Sequence, residues 1–310
     1  MTATVFIDGE AGTTGLQILD RLGGRSDIEL LHLGDDQRKD LDERKEALNR
    51  ADISILCLPD DAAREAVALV DNNAVRIIDA STAHRTADGW VYGFPEYDAN
   101  QADQIKLATR VTNPGCYAVA SISMLHPLVN AGLLPADYPV TLNAVSGYSG
   151  GGRSLIADFE DDSAANHTGS TFYLYGLGLE HKHTEEIRSL SSLENRPLFV
   201  PSVGRFSQGM IVSLPLQLWS LPGSPRPSDI HAALADHYGV GTVTVAALAE
   251  TKALRSHLDP EALKDTDAMA IYVFANAARG QAVVAAVLDN LGKGAAGQAV
   301  QNLDLMLQRS

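Results

Sequence analysis

Residues 113–117 of the chain read NPGCY, which places a cysteine directly after a Pro-Gly turn. A long apolar run follows, so Cys116 is predicted to begin a helix. The N–H groups and dipole of a helix N-terminus lower the pKa of a thiol and stabilise the oxyanion formed when its sulfur attacks a carbonyl. Cys57 lies inside the apolar run Ile53–Leu58 and fits a buried structural residue. Cys116 is therefore the candidate nucleophile.

Two histidines offer the proton chemistry that such a nucleophile needs. Residues 180–187 read EHKHTEEI and contain His181 and His183. One imidazole that titrates near neutral pH is enough for acid–base catalysis. A zinc site is the alternative, but no further ligand spacing follows and neither cysteine completes a site, so no metal is predicted. Five further histidines are expected to be structural or exposed, without clustered partners: His32, His126, His231, His237 and His257.

A glycine loop that ends in arginine is the candidate anion site. Residues 146–153 read SGYSGGGR, and Ser146, Gly147 and the glycines after them predict a concave loop rich in N–H groups. Arg153 is the only Lys or Arg between Val111 and His181. In a chain with a formal net charge of −15, this cation favours contact with a carboxylate or phosphate. A solvated loop without a ligand is the alternative.

A second glycine motif indicates a dinucleotide site. Gly9, Gly12 and Gly15 form G-x-x-G-x-x-G between the first predicted strand and the first predicted helix, with Thr13 and Thr14 between the last two glycines. Glycines let the backbone approach a pyrophosphate, and the helix N-terminus supplies N–H groups. A tight turn without a ligand is the weaker alternative.

The end of the second predicted strand bears on the choice between NAD and NADP. A carboxylate there favours the ribose hydroxyls of NAD, whereas an arginine accommodates the 2′-phosphate of NADP. Both signals are present, in Asp35-Asp36 and in Arg38-Lys39. Arg38 and Lys39 favour NADP, and an exposed charged turn is almost as consistent with them.

Alternating strand and helix patterns position these motifs in the first third of the chain. Strands are predicted at Thr4–Asp8, Ile28–Leu33, Ile53–Leu58 and Val75–Asp79, and helices at Thr13–Leu22, Leu41–Asn49 and Asp61–Val70. We expect Leu16, Leu19 and Leu22 on one side of the first helix. Such a repeat is typical of an α/β, doubly wound parallel sheet.

The pattern changes further along the chain. A strand at Leu107–Thr112 is followed by the predicted helix Cys116–Ala131. Strand-like runs then dominate: Val140–Val145, Phe199–Val203, Met210–Leu218, Val243–Ala247 and Ala270–Ala277. They predict a second domain of the α+β kind with a mixed or antiparallel sheet. Asn290–Leu307 is predicted to be helical after its Gly-Lys-Gly turn.

Composition narrows the class of protein. The chain has 310 residues, of which 45 % are hydrophobic, and this is enough for two domains. The net charge of −15 argues against nucleic acid or an anionic membrane as the main partner. No apolar run reaches the roughly 20 residues that span a bilayer. The N-terminus does not resemble a signal peptide, and two cysteines make no disulfide framework, so a cytoplasmic location is expected.

Together these motifs resemble the shorter form of N-acetyl-γ-glutamyl-phosphate reductase, an arginine-biosynthesis family. The similarity runs through nearly the whole chain and includes GEAGTTGLQI, DASTAHR, PEY, NPGCYA, SGYSGGGR, HKHTEEI and DNLGKGAAGQAVQNL. It implies a Rossmann-type NADP-binding domain formed by residues 1–115 and 290–310. It also implies an inserted α+β domain of the semialdehyde dehydrogenase type, residues 116–289, for catalysis and for assembly into a homodimer or homotetramer.

The resemblance also implies roles for single residues. Cys116 would be the nucleophile, His181 the proton-transferring group, and His183 a supporting or substrate-contacting group. Arg153, with Arg85 or Arg205, would balance the substrate's carboxylate and phosphate, beside Ser146 and Gly147. The cofactor residues would be Gly9, Gly12, Thr13, Thr14, Gly15, Arg38, Pro59, Ser81, Asn290 and Gly292.

The expected reaction reduces N-acetyl-γ-glutamyl phosphate with NADPH, through a thioester on Cys116, to N-acetylglutamate 5-semialdehyde and phosphate. Aspartate-semialdehyde dehydrogenase, which applies the same chemistry to a shorter substrate, is one alternative. A nucleotide-binding redox sensor without turnover is the alternative from a different class. A sensor needs a reactive cysteine but neither paired histidines nor an arginine-bearing glycine loop, so the motifs favour an enzyme.

Overall fold

The computed structural model describes residues 2–254 and 257–308. These residues divide into two compact units. Unit 1 runs to Gly115 and resumes at Ala295, and unit 2 is Cys116–Gly294. Among the described residues, no helix is long and apolar enough to cross a membrane.

A parallel sheet forms the centre of unit 1. Its strands are β1 (Ala3–Asp8), β2 (Ile28–Leu31), β3 (Ile53–Leu56), β4 (Arg76–Asp79), β5 (Val91–Tyr92) and β6 (Arg110–Thr112), in the spatial order β2-β1-β3-β4-β6-β5. Each pair is parallel. The helices are α1 (Thr13–Leu22), α2 (Leu41–Arg50), α3 (Asp60–Ala68), α4 (Gln101–Leu107) and, at the C-terminal end, α10 (Gly297–Leu307). The predicted α/β sheet is confirmed.

Helices cover both faces of this sheet. Val5 and Ile7 of β1 pack in one apolar cluster with residues of α1 and α10, such as Ile18 and Leu303. Phe6, between them, packs in a second cluster with residues of α2 and α3. Successive strand residues point to opposite faces, so the two clusters lie on opposite sides of the sheet. This is the doubly wound arrangement that the strand and helix pattern predicts.

Helix α1 has the predicted bounds, but its buried side differs. The buried residues are Gly15, Ile18 and Leu22, whereas Leu16 is 48 % exposed. Gly15 must face the loop after β1, because a Cβ at this position would lie 2.5 Å from the Gly9 carbonyl oxygen. That close approach fixes the rotation of the helix about its axis and leaves Leu16 facing outward. The prediction that Leu16 lies on the buried side with Leu19 and Leu22 is therefore wrong.

A mixed sheet forms the centre of unit 2. Its strands are β7 (Thr141–Gly147), β8 (Phe172–Leu174), β9 (Leu198–Gly204), β10 (Met210–Gln217), β11 (Val243–Val245), β12 (Met269–Asn276) and β13 (Gln281–Leu288), in the spatial order β11-β12-β13-β10-β7-β9-β8. The β7–β9 and β11–β12 pairs are parallel and the others antiparallel. The helices are α5 (Cys116–Asn130), α6 (Gly152–Glu160), α7 (Thr184–Leu190), α8 (Pro227–Tyr238) and α9 (Leu248–Ala253). The predicted mixed sheet is confirmed.

Helix α5 is the central helix of unit 2. All of its residues from Tyr117 to Leu128 are buried. An apolar run with no polar face suits a helix that is covered on all sides. The helix begins at Cys116, directly after the Pro-Gly turn, as predicted. The packing of α5 therefore fixes the backbone position of this cysteine.

Candidate functional site

Cys116 sits where a turn of unit 2 approaches the first residue of α5. A Cβ built on Gly294 would lie 2.9 Å from the Cys116 Cβ, closer than two such atoms approach each other. Gly294 belongs to a π-helical turn that begins at Gly292, and its N–H donates to the Asp289 carbonyl at 2.9 Å. Single π-helical turns are frequent at functional sites. The absence of a side chain at residue 294 thus permits this close packing against the candidate nucleophile.

The two histidines of the EHKHTEEI segment lie in an aromatic cluster beside Tyr117. The ring centroids of His181 and His183 are 4.8 Å apart, and those of Tyr117 and His181 are 5.8 Å apart. The Tyr175 hydroxyl donates to the Tyr117 hydroxyl at 3.2 Å. Burial raises the pKa of Tyr175 to about 12, and the nearby Cys116 adds to the increase. Tyr117 directly follows the candidate nucleophile Cys116 in the chain, and its ring contacts that of His181, the candidate proton donor. All three residues belong to unit 2.

The hydrogen bonds of His181 define its tautomer. The main-chain N–H of His183 donates to Nδ1 of His181 at 3.2 Å. A nitrogen that accepts a hydrogen bond carries no proton, so the neutral ring has its proton on Nε2. Burial, with Lys182 adding to the effect, lowers the pKa of His181 to about 4. At neutral pH the ring is uncharged and presents Nε2–H as a hydrogen-bond donor.

The SGYSGGGR loop is in polar contact with Asn290. The Asn290 side chain donates to the Ser149 hydroxyl at 2.9 Å and accepts from the Gly209 N–H at 2.8 Å. Ser146 is 3 % exposed, and a Cβ on Gly150 would lie 3.2 Å from its hydroxyl oxygen. Residues 146–150 thus approach Asn290 closely. The predicted substrate residue Ser146 and the predicted cofactor residue Asn290 lie in the same unit as Cys116.

Two predicted substrate arginines of unit 2 lie in different environments. Arg153 is exposed near the start of α6. The Arg205 guanidinium donates to the carbonyls of Thr168 at 2.7 Å and Phe159 at 3.2 Å. These bonds hold the segment between α6 and β8. A contact of either arginine with substrate stays a prediction.

The glycine motif of unit 1 has the geometry of a nucleotide cradle. Gly9 has φ +89°, and a Cβ there would lie 2.4 Å from the Cys57 carbonyl oxygen. Gly12 precedes α1, and no side chain caps this helix terminus. The exposed N–H groups and the space left by missing side chains fit a pyrophosphate. A cleft of about 310 Å³ adjoins the loop, and its lining includes Gly9, Glu10, Gly12, Leu33, Arg38, Arg44, Cys57 and Pro59.

Two other predicted residues of unit 1 make internal contacts. The Ser81 hydroxyl donates at 2.8 Å to Asp79, a carboxylate with no exposed surface that also contacts His84 at 2.6 Å. Arg85 donates to the carbonyls of Asn113 at 3.1 Å and Ala80 at 3.3 Å. These contacts hold the chain after β4 and the residues that precede Cys116. The proposed contacts of Ser81 and Arg85 with cofactor or substrate stay predictions.

Glu10 and His32 join the nucleotide loop, although the sequence motifs did not identify them. One Glu10 oxygen lies 2.9 Å from Arg38 Nη2, and the other lies 2.9 Å from His32 Nδ1. The prediction that His32 has no clustered partner is wrong, because its partner is 22 residues away in the sequence. A charged side chain inside a glycine loop was the available signal for Glu10.

The described residues contain no group of three or more His, Cys, Asp or Glu side chains that could hold a metal ion. Burial, with Asp79 and Asp8 nearby, raises the pKa of Cys57 to about 12. A thiol with so high a pKa is protonated and unreactive at neutral pH. Cys57 is partly exposed and lines the cleft beside the glycine loop, so its predicted burial is wrong, although its raised pKa agrees with an unreactive thiol.

Family models and relatives agree on one assignment. Residues 4–105 match the model "Semialdehyde dehydrogenase, NAD binding domain", and residues 116–290 match "Semialdehyde dehydrogenase, dimerisation domain". An N-acetyl-γ-glutamyl-phosphate reductase of Chelativorans sp. is 55 % identical over 309 residues, which are 99 % of each chain. The chain belongs to the N-acetyl-γ-glutamyl-phosphate reductase family. A member from Pseudomonas putida is 54 % identical and aligns with 99 % of this chain and 97 % of its own.

Solved structures of semialdehyde dehydrogenases share the fold of this reductase family member. Aspartate semialdehyde dehydrogenase II of Vibrio cholerae matches with a TM-score of 0.70 and 15 % identity over 99 % of both chains. The Candida albicans aspartate semialdehyde dehydrogenase, solved with NADP, matches with a TM-score of 0.66 and 12 % identity over 99 % of this chain and 98 % of its own. These structures show the shared fold, and the matched family models support a nicotinamide cofactor and an α+β domain of the semialdehyde dehydrogenase type in this chain.

Proposed function

We propose that the chain reduces N-acetyl-γ-glutamyl phosphate to N-acetylglutamate 5-semialdehyde and phosphate, with NADPH as reductant, in arginine biosynthesis. The observation that carries this proposal is the position of Cys116 at the N-terminus of α5, next to the Tyr117–His181 cluster. Relatives between 51 and 55 % identical over nearly the whole chain carry the name of this activity. That reaction is expected to use a cysteine as nucleophile and a histidine for proton transfer, the roles we propose for Cys116 and His181.

Cys116 forms the covalent intermediate. Its thiolate attacks the acyl carbon, a C–S bond forms, and the bond from that carbon to the phosphate oxygen breaks. Phosphate leaves with the electron pair and a thioester remains on the sulfur. Because α5 begins at Cys116, the N–H groups of its first turn favour the thiolate and stabilise the oxyanion of the tetrahedral intermediate.

His181 acts on the carbonyl oxygen. When bound, the reduced nicotinamide supplies the hydride that takes the thioester to the oxidation level of the aldehyde. His181 donates Nε2–H to the oxygen that becomes negative in this step, since its Nδ1 is occupied by the His183 N–H. The oxyanion then re-forms the carbonyl, the C–S bond breaks, and the thiolate of Cys116 leaves. His183 positions His181 through its main chain.

The remaining residues bind the two ligands. Gly9, Gly12, Thr13, Thr14 and Gly15 would hold the pyrophosphate, with Pro59, Ser81, Asn290 and Gly292 as further cofactor contacts. Arg38 lies in the cleft beside the glycine loop and would contact the 2′-phosphate, which favours NADP over NAD. Arg153 would bind a substrate anion, with Arg85 or Arg205 as second cation. The matched dimerisation domain, residues 116–290, supports self-association, for which we propose a homodimer or homotetramer. The proposed location is the cytoplasm.

The reverse reaction tests this assignment. Purified protein is mixed with NADP, inorganic phosphate and either N-acetylglutamate 5-semialdehyde or aspartate semialdehyde. We expect NADPH formation that depends on phosphate, a marked preference for the acetylated substrate, and loss of activity in Cys116→Ser with nucleotide binding retained. Preference for aspartate semialdehyde would support the alternative dehydrogenase, and full turnover by Cys116→Ser would overturn the mechanism.

A further inference from the structure

We propose that Glu10 determines the preference for NADP over NAD as a positioning residue that holds Arg38 at the nucleotide cleft, with His32 as the second partner of its carboxylate. This inference rests on the proposed NADP specificity and adds a residue to it. Glu10 follows Gly9 directly and is 8 % exposed. Its two oxygens contact Arg38 and His32, each at 2.9 Å. One buried carboxylate in the loop after β1 thus joins an arginine and a histidine that follow β2.

Arg38 is held at three points. Its Nη2 contacts Glu10 at 2.9 Å, its Nη1 contacts Asp35 at 3.1 Å, and its Nε donates to the Leu33 carbonyl at 3.1 Å. The Glu10 side chain is 10 % exposed, whereas that of Asp35 is 91 % exposed. Pairing to a buried carboxylate orients a guanidinium better than pairing to an exposed one. Glu10 is therefore the contact that keeps Arg38 in the cleft.

The alternative role for Glu10 is recognition of NAD, since a carboxylate near the ribose can accept hydrogen bonds from the 2′- and 3′-hydroxyls. The contacts disfavour it. One Glu10 oxygen already accepts a hydrogen bond from Arg38 and the other accepts one from His32. The ribose hydroxyls would have to displace these two donors. Arg38 is the member of the pair that lines the cleft. Its guanidinium has five N–H groups, of which the contacts with Glu10, Asp35 and Leu33 use three, so two remain for a ligand. A planar cation of this kind suits a phosphate ester better than a hydroxyl group.

Two adenosine nucleotides that differ only at the 2′-position test the proposal. Adenosine 2′,5′-bisphosphate and 5′-AMP are titrated calorimetrically into the full chain. We expect the wild type to bind the bisphosphate at least about tenfold more tightly, as one charge-assisted contact predicts. In Glu10→Gln this ratio should fall by about tenfold while 5′-AMP affinity stays within about twofold. Arg38→Lys, which keeps the charge but loses the planar fork, should reduce the ratio in the same way.

Asp36→Asn is the matched control, because it removes a carboxylate charge from the turn that carries Arg38 and leaves the contact between Glu10 and Arg38 in place. Its nucleotide ratio should equal that of the wild type. A wild type without preference for the 2′-phosphate would contradict the proposed NADP specificity itself. A wild-type preference that Glu10→Gln retains would overturn the role of Glu10, and retention in Arg38→Lys as well would also overturn the role of Arg38. Weaker 5′-AMP binding by Glu10→Gln, with the ratio raised, would identify Glu10 as a ribose acceptor and also overturn it.

Discussion

The two cysteines of the chain differ in what surrounds them. Cys57 follows β3, and burial together with two nearby carboxylates raises the pKa of its thiol to about 12. Cys116 is the first residue of a long buried helix, and the N–H groups of a helix N-terminus favour the thiolate. The same side chain is therefore inert at one position and suited to nucleophilic attack at the other. Burial also shifts the pKa of His181, which contacts Tyr117, although here the shift is downward.

His181 gives a prediction at the scale of a single residue. Its pKa is lowered from 6.5 to about 4 in the folded protein, so the unfolded chain takes up a proton first as the pH falls. The free energy of unfolding should therefore decrease as the pH is lowered from about 6.5 to about 4. His181→Gln should remove this part of the decrease. Denaturant titrations of both proteins at several pH values measure it, and equal slopes for both would contradict the assignment.

His181→Gln also tests whether His181 acts as a hydrogen-bond donor to the substrate or as the base that deprotonates Cys116. If His181 only donates Nε2–H, His181→Gln should lower turnover by about 10²- to 10³-fold and leave the pH dependence of Cys116 alkylation unchanged. ¹⁵N NMR of the labelled imidazole should show an unprotonated Nδ1 at neutral pH, in accord with the hydrogen bond from the His183 N–H. A Cys116 alkylation profile that moves to higher pH in His181→Gln would show instead that the imidazole removes the thiol proton.

At the scale of elements, a turn and a helix meet at the reactive residue. A methyl group at Gly294 would come within 2.9 Å of the Cys116 Cβ, so either the turn after β13 or the start of α5 must shift. We expect Gly294→Ala to lower turnover at least about tenfold, because small misplacements of a reacting group are costly. Gly178→Ala is the control in the same unit, since a Cβ there meets nothing within 4 Å. Equal turnover of the two variants would contradict the importance of this packing.

Some elements could be predicted from the sequence, and others could not, for physical reasons. Helix α1 and the start of α5 follow from apolar spacing and from the turns that precede them. Strand β13 was missed because QAVVAAVL is rich in alanine, which has little strand preference of its own; pairing with β10 and β12 stabilises it. Glu10 and His32 were missed because their contact joins the ends of two neighbouring strands. Sequence spacing predicts which side of one element is buried, but not such a contact.

At the scale of the whole molecule, the chain combines a unit with a parallel sheet and a unit with a mixed sheet. Family models match both parts, and the second model describes a dimerisation domain. It stays a prediction that residues 1–115 and 290–310 bind NADP and that residues 116–289 carry out catalysis and assembly. Phe172 and Leu174 of β8 are 56 % and 46 % exposed, and such apolar surface at a sheet edge favours self-association.

This surface and the family description lead to a prediction about assembly. We expect light scattering coupled to size-exclusion chromatography to give the mass of a homodimer or homotetramer. Charged substitutions at Phe172 and Leu174 should lower that mass if β8 takes part in assembly. A monomeric wild type at micromolar concentration would contradict the prediction, whereas an unchanged oligomer in the variant would place the contact elsewhere in unit 2.

The thioester on Cys116 is the central claim, and intact-protein and peptide mass spectrometry test it most directly. The protein is incubated with N-acetyl-γ-glutamyl phosphate without reductant, quenched in acid and digested. We predict one N-acetylglutamyl group on the peptide that contains Cys116, none on the Cys57 peptide, and loss of the adduct in Cys116→Ala but not in Cys57→Ser. An unmodified Cys116, or an equal adduct in Cys116→Ala, would contradict covalent catalysis by this residue.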